Sequence, residues 1–386
     1  ETFDMVSAFL VVLCSSLLVS ASAVQKRYQK LVAAATAETD RWSPGVAAGC
    51  PCSDASWCKP ISGPPLQEKE VYGFVGDPNT MNWTHVTTVA WATDPALICA
   101  AHQHGARVVM SAPSVVLTSN KTARTAWIKA AAEQMQAKFM DGIVFDYENP
   151  EKVRDDNTKN YALLISETTA YLHYLNPSYQ TSTCVAWSPD DIDGRGYDIP
   201  ALAAASDVLY VMDYDTRSQV FTQCIASANA PLPGMIKGIQ RYLDLGVSPD
   251  QLILGVPWYG YQYKCLAGTA KDAEFCPIPL TPFRGVNCSD AAGSEVAYKD
   301  IMKLLPTNTA HGFDSNMAAP WFNVERADGT VVQYWYDNAE SLGRKYAWAK
   351  TTGLRGVGPF TFTDLDPTNA PDQAREIWST FDVFVH

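Results

Sequence analysis

The sequence predicts an α/β protein built on a single (β/α)8 TIM barrel, with an insertion after the seventh strand. Three observations predict it: 386 residues of which 47% are hydrophobic and 18% charged, eight short apolar runs rich in Val, Tyr and Trp, and helical periodicity after most of these runs. A chain of this length and composition can bury a large core, which excludes a disordered or fibrous protein.

The eight apolar runs are the predicted barrel strands. They alternate with helical patterns, as parallel strands joined by crossover helices do. The runs are Val71–Val75, Val86–Ala92, Arg107–Ala112, Gly142–Tyr147, Thr183–Ser188, Val208–Tyr214, Leu252–Tyr259 and Gly356–Phe362.

Apolar residues at helical spacing predict the outer helices. The clearest segment opens with Asn120 and Thr122, which can cap a helix, and its apolar residues from Trp127 to Phe139 fall on one face. Similar patterns cover Tyr161–Leu172, Met235–Leu245, Ser341–Lys350 and Gln373–Phe381.

The alternation pauses between Gly260 and about Asp337, where three cysteines and several prolines occur. We interpret residues 260–337 as an insertion into a barrel domain that spans residues 50–386. Loops that follow the strands of such a barrel form its mouth, so we expect the insertion to lie beside the active site.

The N-terminal region predicts a signal peptide. An apolar run follows Met5 and ends before Ala21-Ser22-Ala23, the small-x-small pattern that signal peptidase cleaves. We expect residues 1–23 to be a removed leader and signal peptide, and residues 24–49 to be a linker. No Lys or Arg precedes the apolar run, so a retained membrane anchor is the alternative.

The cysteines indicate an oxidising compartment. Loss of Cys14 with the signal peptide leaves nine of ten cysteines, enough to predict disulfides with at least one unpaired thiol. The close set Cys50, Cys52 and Cys58 leaves a metal knuckle as an alternative, but no nearby ligand completes four. Three N-glycosylation triplets point to the same compartment. They begin at Asn82, Asn120 and Asn287.

The excess of acidic side chains excludes some classes of binding partner. Twenty-nine basic and 41 acidic side chains give a formal net charge of −12, so no global field attracts phosphates. We therefore expect no nucleic-acid partner and no stable membrane association. We also expect a monomer that needs neither a cofactor nor a metal.

The most informative segment is Asp141–Glu148. Because side chains alternate along a strand, Asp146 and Glu148 share one face with Val144, and the apolar odd-numbered residues face the helices. Two carboxylates about 6 to 7 Å apart at the carboxyl end of a barrel strand are placed for chemistry. One of them would hold a proton for a leaving group. The alternatives are a buried acid pair satisfied by arginine or backbone amides, and half of a metal site.

Polar and aromatic residues end three neighbouring strands. Strand six closes with Met212, Tyr214 and one of the two flanking acids, strand five with Trp187, and strand seven with Trp258. Stacking faces with acids between them suit a polyhydroxylated ring, so these endings favour a sugar-binding cleft.

These residues carry a family resemblance. Asp141-Gly142-x-x-x-Asp146-x-Glu148 resembles the signature of family 18 glycoside hydrolases, the chitinase-like barrels, and Met212-x-Tyr214-Asp215 resembles their sixth-strand motif. The resemblance runs from about Cys50 to Trp378, and further blocks match lysosomal members. They are Cys50–Cys52, Gly105–Val109, Ala186–Pro189, Gly255–Tyr261, Pro282–Gly285, Cys288–Gly293 and Trp335–Asn338.

The resemblance implies retaining hydrolysis of β-1,4-linked N-acetylglucosamine (GlcNAc) without an enzyme nucleophile. Glu148 would be the general acid and base, Asp146 would hold the acetamido N–H, and Tyr214 would bind the acetamido oxygen. The implied substrate is the reducing-end GlcNAc-β-1,4-GlcNAc core of N-linked glycans, in a lysosome or outside the cell. The resemblance also implies a supporting role for Asp141 and substrate contacts by Met212, Asp215, Trp187, Trp258 and Phe360.

Two positions depart from the family. Val144 stands where an Asp or Asn is usual, so we expect a weaker or acid-shifted pH optimum. Phe360 stands where a Trp usually floors the sugar subsite, so we expect weaker binding there. These departures favour a second hypothesis, a chitinase-like lectin with little turnover. A chitinase or endo-N-acetylglucosaminidase that cuts longer chains is a third.

Overall fold

Eight parallel strands close into a barrel in this computed structural model, which describes residues 49–61, 69–216, 223–305 and 311–386. The predicted (β/α)8 fold is confirmed. The ring runs in chain order and is closed by pairing of the last strand with the first and the seventh. The strands are β1 (Glu70–Phe74), β2 (Thr88–Ala90), β3 (Arg107–Ser111), β4 (Gly142–Phe145), β5 (Gln180–Ala186), β6 (Val208–Met212), β7 (Leu252–Pro257) and β13 (Gly356–Phe360).

Helices surround the barrel, and polar caps set where several of them begin. The Asn120 side chain accepts a hydrogen bond from the Ala123 amide at the start of the helix Lys121–Ala137, as predicted, and Asp155 caps the helix Asp156–Leu175 in the same way. The helices are α1 (Pro95–Gln103), α2 (Lys121–Ala137), α3 (Asp156–Leu175), α4 (Ile199–Ala205), α5 (Leu232–Asp244), α6 (Tyr298–Leu304), α7 (Ala339–Thr352), α8 (Pro371–Ser379) and α9 (Asp382–Val385).

The barrel strands divide their side chains between two cores. On β4, Val144 lies in the barrel interior, whereas Ile143 and Phe145 pack against the outer helices. The interior is crowded: a Cβ added at Gly255 would lie 2.4 Å from the Tyr210 ring. Strand alternation therefore directs the side of β4 that carries Val144 into the barrel, as the sequence predicts.

The amino-terminal end of the barrel is held by buried charges. Fully buried Asp141, just before β4, accepts hydrogen bonds from His102 (2.8 Å) and from the backbone amides of Ile61 (2.8 Å) and Val108 (2.7 Å). Buried Glu70 binds the Arg355 guanidinium at 2.9 Å. Asp141 therefore supports the fold at the end of the barrel opposite to the two acids that follow β4.

The predicted insertion folds into an antiparallel sheet whose five described strands have the order β10-β11-β12-β8-β9. Strands are not among the features predicted for this stretch. Only Trp258 separates the end of β7 from the start of β8, so the sheet rises directly from the barrel. Its strands are β8 (Tyr259–Lys264), β9 (Gly293–Ala297), β10 (His311–Asp314), β11 (Ala319–Glu325) and β12 (Val331–Trp335).

Four disulfides join the described cysteines and leave Cys184 as a buried free thiol. The close set at the start of the domain is used by the pairs Cys50–Cys58 and Cys52–Cys99, so the metal-knuckle alternative is wrong. The other two pairs, Cys224–Cys288 and Cys265–Cys276, lie in and around the insertion. The predicted disulfides and the odd thiol are confirmed.

The predicted signal peptide at 1–23 and nearly all of the predicted linker at 24–49 lie outside the described residues. Within the described ranges, every helix is too short or too polar to cross a bilayer. The N-terminal predictions therefore stay predictions.

Candidate active site

Two carboxylates follow β4 at the mouth of the barrel, in different surroundings. The side chain of Glu148 is 52% exposed. Asp146 lies deeper, and within the described part of the chain its shielded Oδ1 has no hydrogen-bond partner. The predicted pair is therefore split into an open acid and a sheltered one.

The surroundings of Asp146 change the pKa of its carboxyl group. Burial, and after it the nearby Glu148 charge, raise the pKa of Asp146 to about 6. Two neighbours oppose this rise in pKa: the positive charge of Arg195 and a hydrogen bond from the Cys184 thiol. Because Val144 offers no polar group, Cys184 is the polar partner that the barrel interior supplies.

Arg195 contacts the open acid directly. Its Nη1 lies 2.6 Å from Glu148 Oε2, and its Nη2 lies 3.0 Å from Asp193 Oδ2. The alternative of an acid pair satisfied by arginine thus describes Glu148 but not Asp146. Sequence reasoning missed Arg195, although a cation between two glycines after the fifth strand is a signal for a shaped loop at the mouth.

The end of β6 supplies a second acid and a tyrosine. Asp215 Oδ1 accepts hydrogen bonds from the hydroxyls of Tyr259 (2.7 Å) and Tyr261 (3.0 Å). Its backbone has a positive φ of 51°, which Asp tolerates, and its amide donates to Asn229 Oδ1 at 2.6 Å. Burial raises the pKa of Asp215, and the two tyrosine hydroxyls lower it.

The two acids flanking Tyr214 have different roles. Asp213 is fully buried, and burial raises its pKa to about 8, against the opposing charge of Lys345. Asp215 is therefore the acid at the mouth. Burial also raises the pKa of Tyr214 well above its usual range, so its hydroxyl keeps its proton.

Phe360 forms an aromatic group at the mouth with four neighbouring rings, of which Tyr259 is the most distant at 6.3 Å. Its ring stacks on Tyr214 at 5.4 Å, and it also lies 5.6 Å from Phe74 and 5.8 Å from Trp91. Met212 lies beside this group on the interior face of β6. Phe360, Tyr214 and Met212 are among the predicted site residues, whereas Phe74 and Trp91 are not.

The two tryptophans predicted to contact sugar lie elsewhere. Trp258 is 3% exposed and packs against Phe362, Trp378 and Phe381 in the outer core, so its predicted place in the cleft is wrong. Trp187 is also buried, in a small cluster with Ile192. Both follow strands on the side that faces the helices, where a large apolar ring is stabilised by packing.

The assembled site has three chemical components. An open carboxyl can exchange a proton with a substrate, and a sheltered carboxyl with a pKa of about 6 can accept or donate a hydrogen bond. A neutral tyrosine hydroxyl and an aromatic surface lie next to them. This set suits acid–base cleavage of a bond in a ring-shaped polar substrate.

Comparisons with known proteins agree with this chemistry. Di-N-acetylchitobiase from Mus musculus is 39% identical over 342 residues, which cover 86% of this chain and 92% of that protein. Probable di-N-acetylchitobiase 2 from Dictyostelium discoideum is 38% identical, covering 87% and 91%. A mutant class V chitinase from Nicotiana tobaccum, solved in complex with NAG4, shares the fold with a TM-score of 0.65 and 15% identity, covering 82% of this chain and 99% of that one. Residues 113–364 match the family model for glycosyl hydrolases family 18, and the chain is a glycosidase that belongs to this family.

Proposed function

We propose that the site hydrolyses the β-1,4 bond of reducing-end di-N-acetylchitobiose cores from N-linked glycans and releases GlcNAc. The observation that carries the proposal is the unequal pair after β4, an open Glu148 beside an Asp146 whose pKa burial raises to about 6. The relatives named di-N-acetylchitobiase, which match most of the chain, support the choice of substrate.

In the proposed first step, the acetamido oxygen of the sugar attacks its own anomeric carbon. The C–O bond to the leaving sugar breaks as Glu148 gives its proton to the glycosidic oxygen. The product is a cyclic oxazolinium ion with a positive charge. Asp146 accepts a hydrogen bond from the acetamido N–H and stabilises this charge, while the Tyr214 hydroxyl donates to the acetamido oxygen and aims it.

In the second step, Glu148 acts as a base. Its carboxylate takes a proton from water, and the resulting hydroxide equivalent attacks the anomeric carbon from the face that the leaving sugar vacated. The ring of the oxazolinium ion opens and the acetamido group is restored. Two inversions at one carbon retain its configuration, and Glu148 is protonated again for the next cycle.

The neighbouring side chains would hold the sugar during both steps. Phe360 offers its ring face as the floor of the subsite, and Asp215 offers an acceptor for a sugar hydroxyl. Met212 lines the same interior face and would contact the acetamide methyl.

We propose the lysosome, or the cell exterior after secretion, as the place of action. The disulfides fit the secretory route that leads there. Two of the expected glycosylation sites, Asn120 and Asn287, are exposed, and Asn82 is partly exposed.

The second candidate function is a lectin that binds such glycans with little turnover. Val144 and Phe360 favour it, because one removes a polar partner below Asp146 and the other shortens the aromatic floor. Binding without product release would distinguish it from the hydrolase.

The test is release of free GlcNAc from chitotriose and from a glycan with a reducing-end chitobiose, at about pH 4 to 6. Wild type is compared with Glu148→Gln, which keeps the shape of the side chain but has no proton to exchange. Glu340→Gln is the matched control, since Glu340 lies in the first turn of α7 and pairs with exposed Arg344. We expect turnover by wild type and the control, and none above about 1% of wild type by Glu148→Gln. Saccharide binding without turnover by wild type would support the lectin.

A further inference from the structure

Arg195 and Glu148 form an ion pair at the mouth whose two side chains differ in exposure to solvent. The Arg195 side chain is 9% exposed, against 52% for Glu148. Within the described residues, Arg195 is the hydrogen-bond donor to Glu148, and it reaches only Oε2. The other carboxyl oxygen, Oε1, has no hydrogen-bond partner among the described residues, on a side chain that is half exposed.

The guanidinium is oriented by its own loop. Its Nη2 donates to Asp193 Oδ2 at 3.0 Å, and its Nε donates to the Ile192 carbonyl at 3.3 Å. The insertion adds a further contact, because Arg284 Nη1 donates to the Asp193 carbonyl at 3.0 Å. A planar guanidinium bound on several edges cannot rotate freely, so it presents Nη1 to Glu148 in one direction.

The loop that carries Arg195 is also bonded to the segment that carries Glu148. The Glu151 amide donates to the Gly194 carbonyl at 2.8 Å, and the Gly196 amide donates to the Glu151 carbonyl at 2.9 Å. The Tyr197 hydroxyl donates to the carbonyls of Tyr147 and Asn149, each at 2.8 Å. These hydrogen bonds flank Glu148 on one segment and Arg195 on the other. They hold the two backbone segments in a fixed relative position.

We propose that Arg195 is a positioning residue for Glu148: it holds Oε2 so that Oε1 delivers the proton to the leaving oxygen, and it stabilises the carboxylate left behind. The inference rests on the proposed role of Glu148 as the acid. When the proton passes from Oε1 to the glycosidic oxygen, Glu148 becomes an anion beside a cation that is already in place. Little reorganisation is then needed during bond cleavage.

The dependence of the rate on the leaving group tests this role. Chitotriose and 4-nitrophenyl di-N-acetylchitobioside place the same two sugars in the site but differ in what leaves. A sugar alcohol needs a proton from Glu148, whereas nitrophenolate leaves with little help from an acid. A residue that only holds the loop would affect the two substrates equally.

We expect Arg195→Met to lower kcat for chitotriose about 100-fold and kcat for the nitrophenyl glycoside less than about 3-fold, with KM little changed. Arg195→Lys should retain more of the chitotriose rate than Arg195→Met does, since an ammonium keeps the positive charge but lacks the planar set of N–H donors of a guanidinium. Asp193→Asn should show the same substrate pattern with a smaller loss. Its backbone φ is 56°, a conformation that Asn adopts readily, so this variant tests the orientation of Arg195 without deleting it.

Arg241→Met is the matched control, because Arg241 binds Asp190 in the same loop at 3.0 Å without touching Glu148. Its rates with both substrates should equal those of wild type. Equal losses on both substrates in Arg195→Met, or no loss on either, would overturn the positioning role while leaving the hydrolase intact. An inactive wild type would overturn the proposed function and this inference together.

Discussion

The buried acid Asp213 makes the stability of the protein depend on pH, and the variant Asp213→Asn tests this dependence. Burial raises the pKa of Asp213 to about 8, whereas the unfolded chain releases the same proton near 3.8. Between these values the folded state binds more protons than the unfolded state, so the free energy of unfolding falls as the pH rises. Asn cannot titrate, and its variant lacks this part of the pH dependence.

The magnitude follows from the width of the pH interval. Each pH unit inside the window changes the free energy of unfolding by about 1.4 kcal/mol for one group, so a rise from about pH 5 to about pH 7 costs about 3 kcal/mol. This estimate uses Asp213 alone. Other titrating groups, Asp146 among them, contribute equally to wild type and variant and cancel in the comparison.

The assay is urea unfolding at both pH values with the disulfides intact. We expect wild type to lose about 3 kcal/mol more than Asp213→Asn between about pH 5 and about pH 7. Asp300→Asn, at an exposed ion pair with Lys303, should follow wild type. Equal losses in wild type and Asp213→Asn would refute the reasoning, whatever the absolute stability of the variant.

Three further predictions concern the site. Because burial and the Glu148 charge raise the pKa of Asp146 to about 6, the acid limb of the wild-type pH–rate profile should lie at higher pH, which is opposite to the acid-shifted optimum expected from the sequence. Val144→Asn places an amide below Asp146 and should lower its pKa, so the acid limb should move about one unit lower, and an unchanged profile would contradict this. Cys184→Ala removes the thiol hydrogen bond that lowers the pKa of Asp146, so the same limb should move to higher pH, and a downward shift would count against that bond. Phe360→Trp enlarges the stacking face and should lower KM about 3-fold, measured with chitotriose; an unchanged KM would show that Phe360 is not the floor.

The parts of the site on β4 could be predicted because alternation along a strand depends only on the local backbone. The same rule, carried to the ends of β5 and β7, also accounts for the two misplaced tryptophans. Val185 and Val256 pack in the outer core, and Trp187 and Trp258 follow them two residues later on the same side. Residue type alone favours sugar contact for any tryptophan near a barrel mouth, and it gives the wrong side for these two.

Other contacts could not be predicted because they join residues that are far apart in the chain. Arg195 reaches Glu148 across 47 positions, and the link depends on how two loops pair after the barrel closes. Asn338, in a block that resembles the family, proves to be the N-cap of α7, with its side chain accepting from the Ser341 amide. The five-stranded sheet could not be predicted because turns and prolines interrupt the alternation of apolar and polar residues that indicates a strand.

The hydrogen bonds to Asp215 make the insertion an integral part of the site. Tyr259 and Tyr261 belong to β8, the first strand of the inserted sheet, yet their hydroxyls satisfy an acid carried by the barrel. Replacing both tyrosines by phenylalanine would keep the cover over that carboxylate but remove its donors, at a cost of about 1 to 3 kcal/mol for each lost hydrogen bond. In any engineered exchange of the outer loops, the first strand of the inserted sheet therefore has to stay with the barrel, because it completes the surroundings of Asp215.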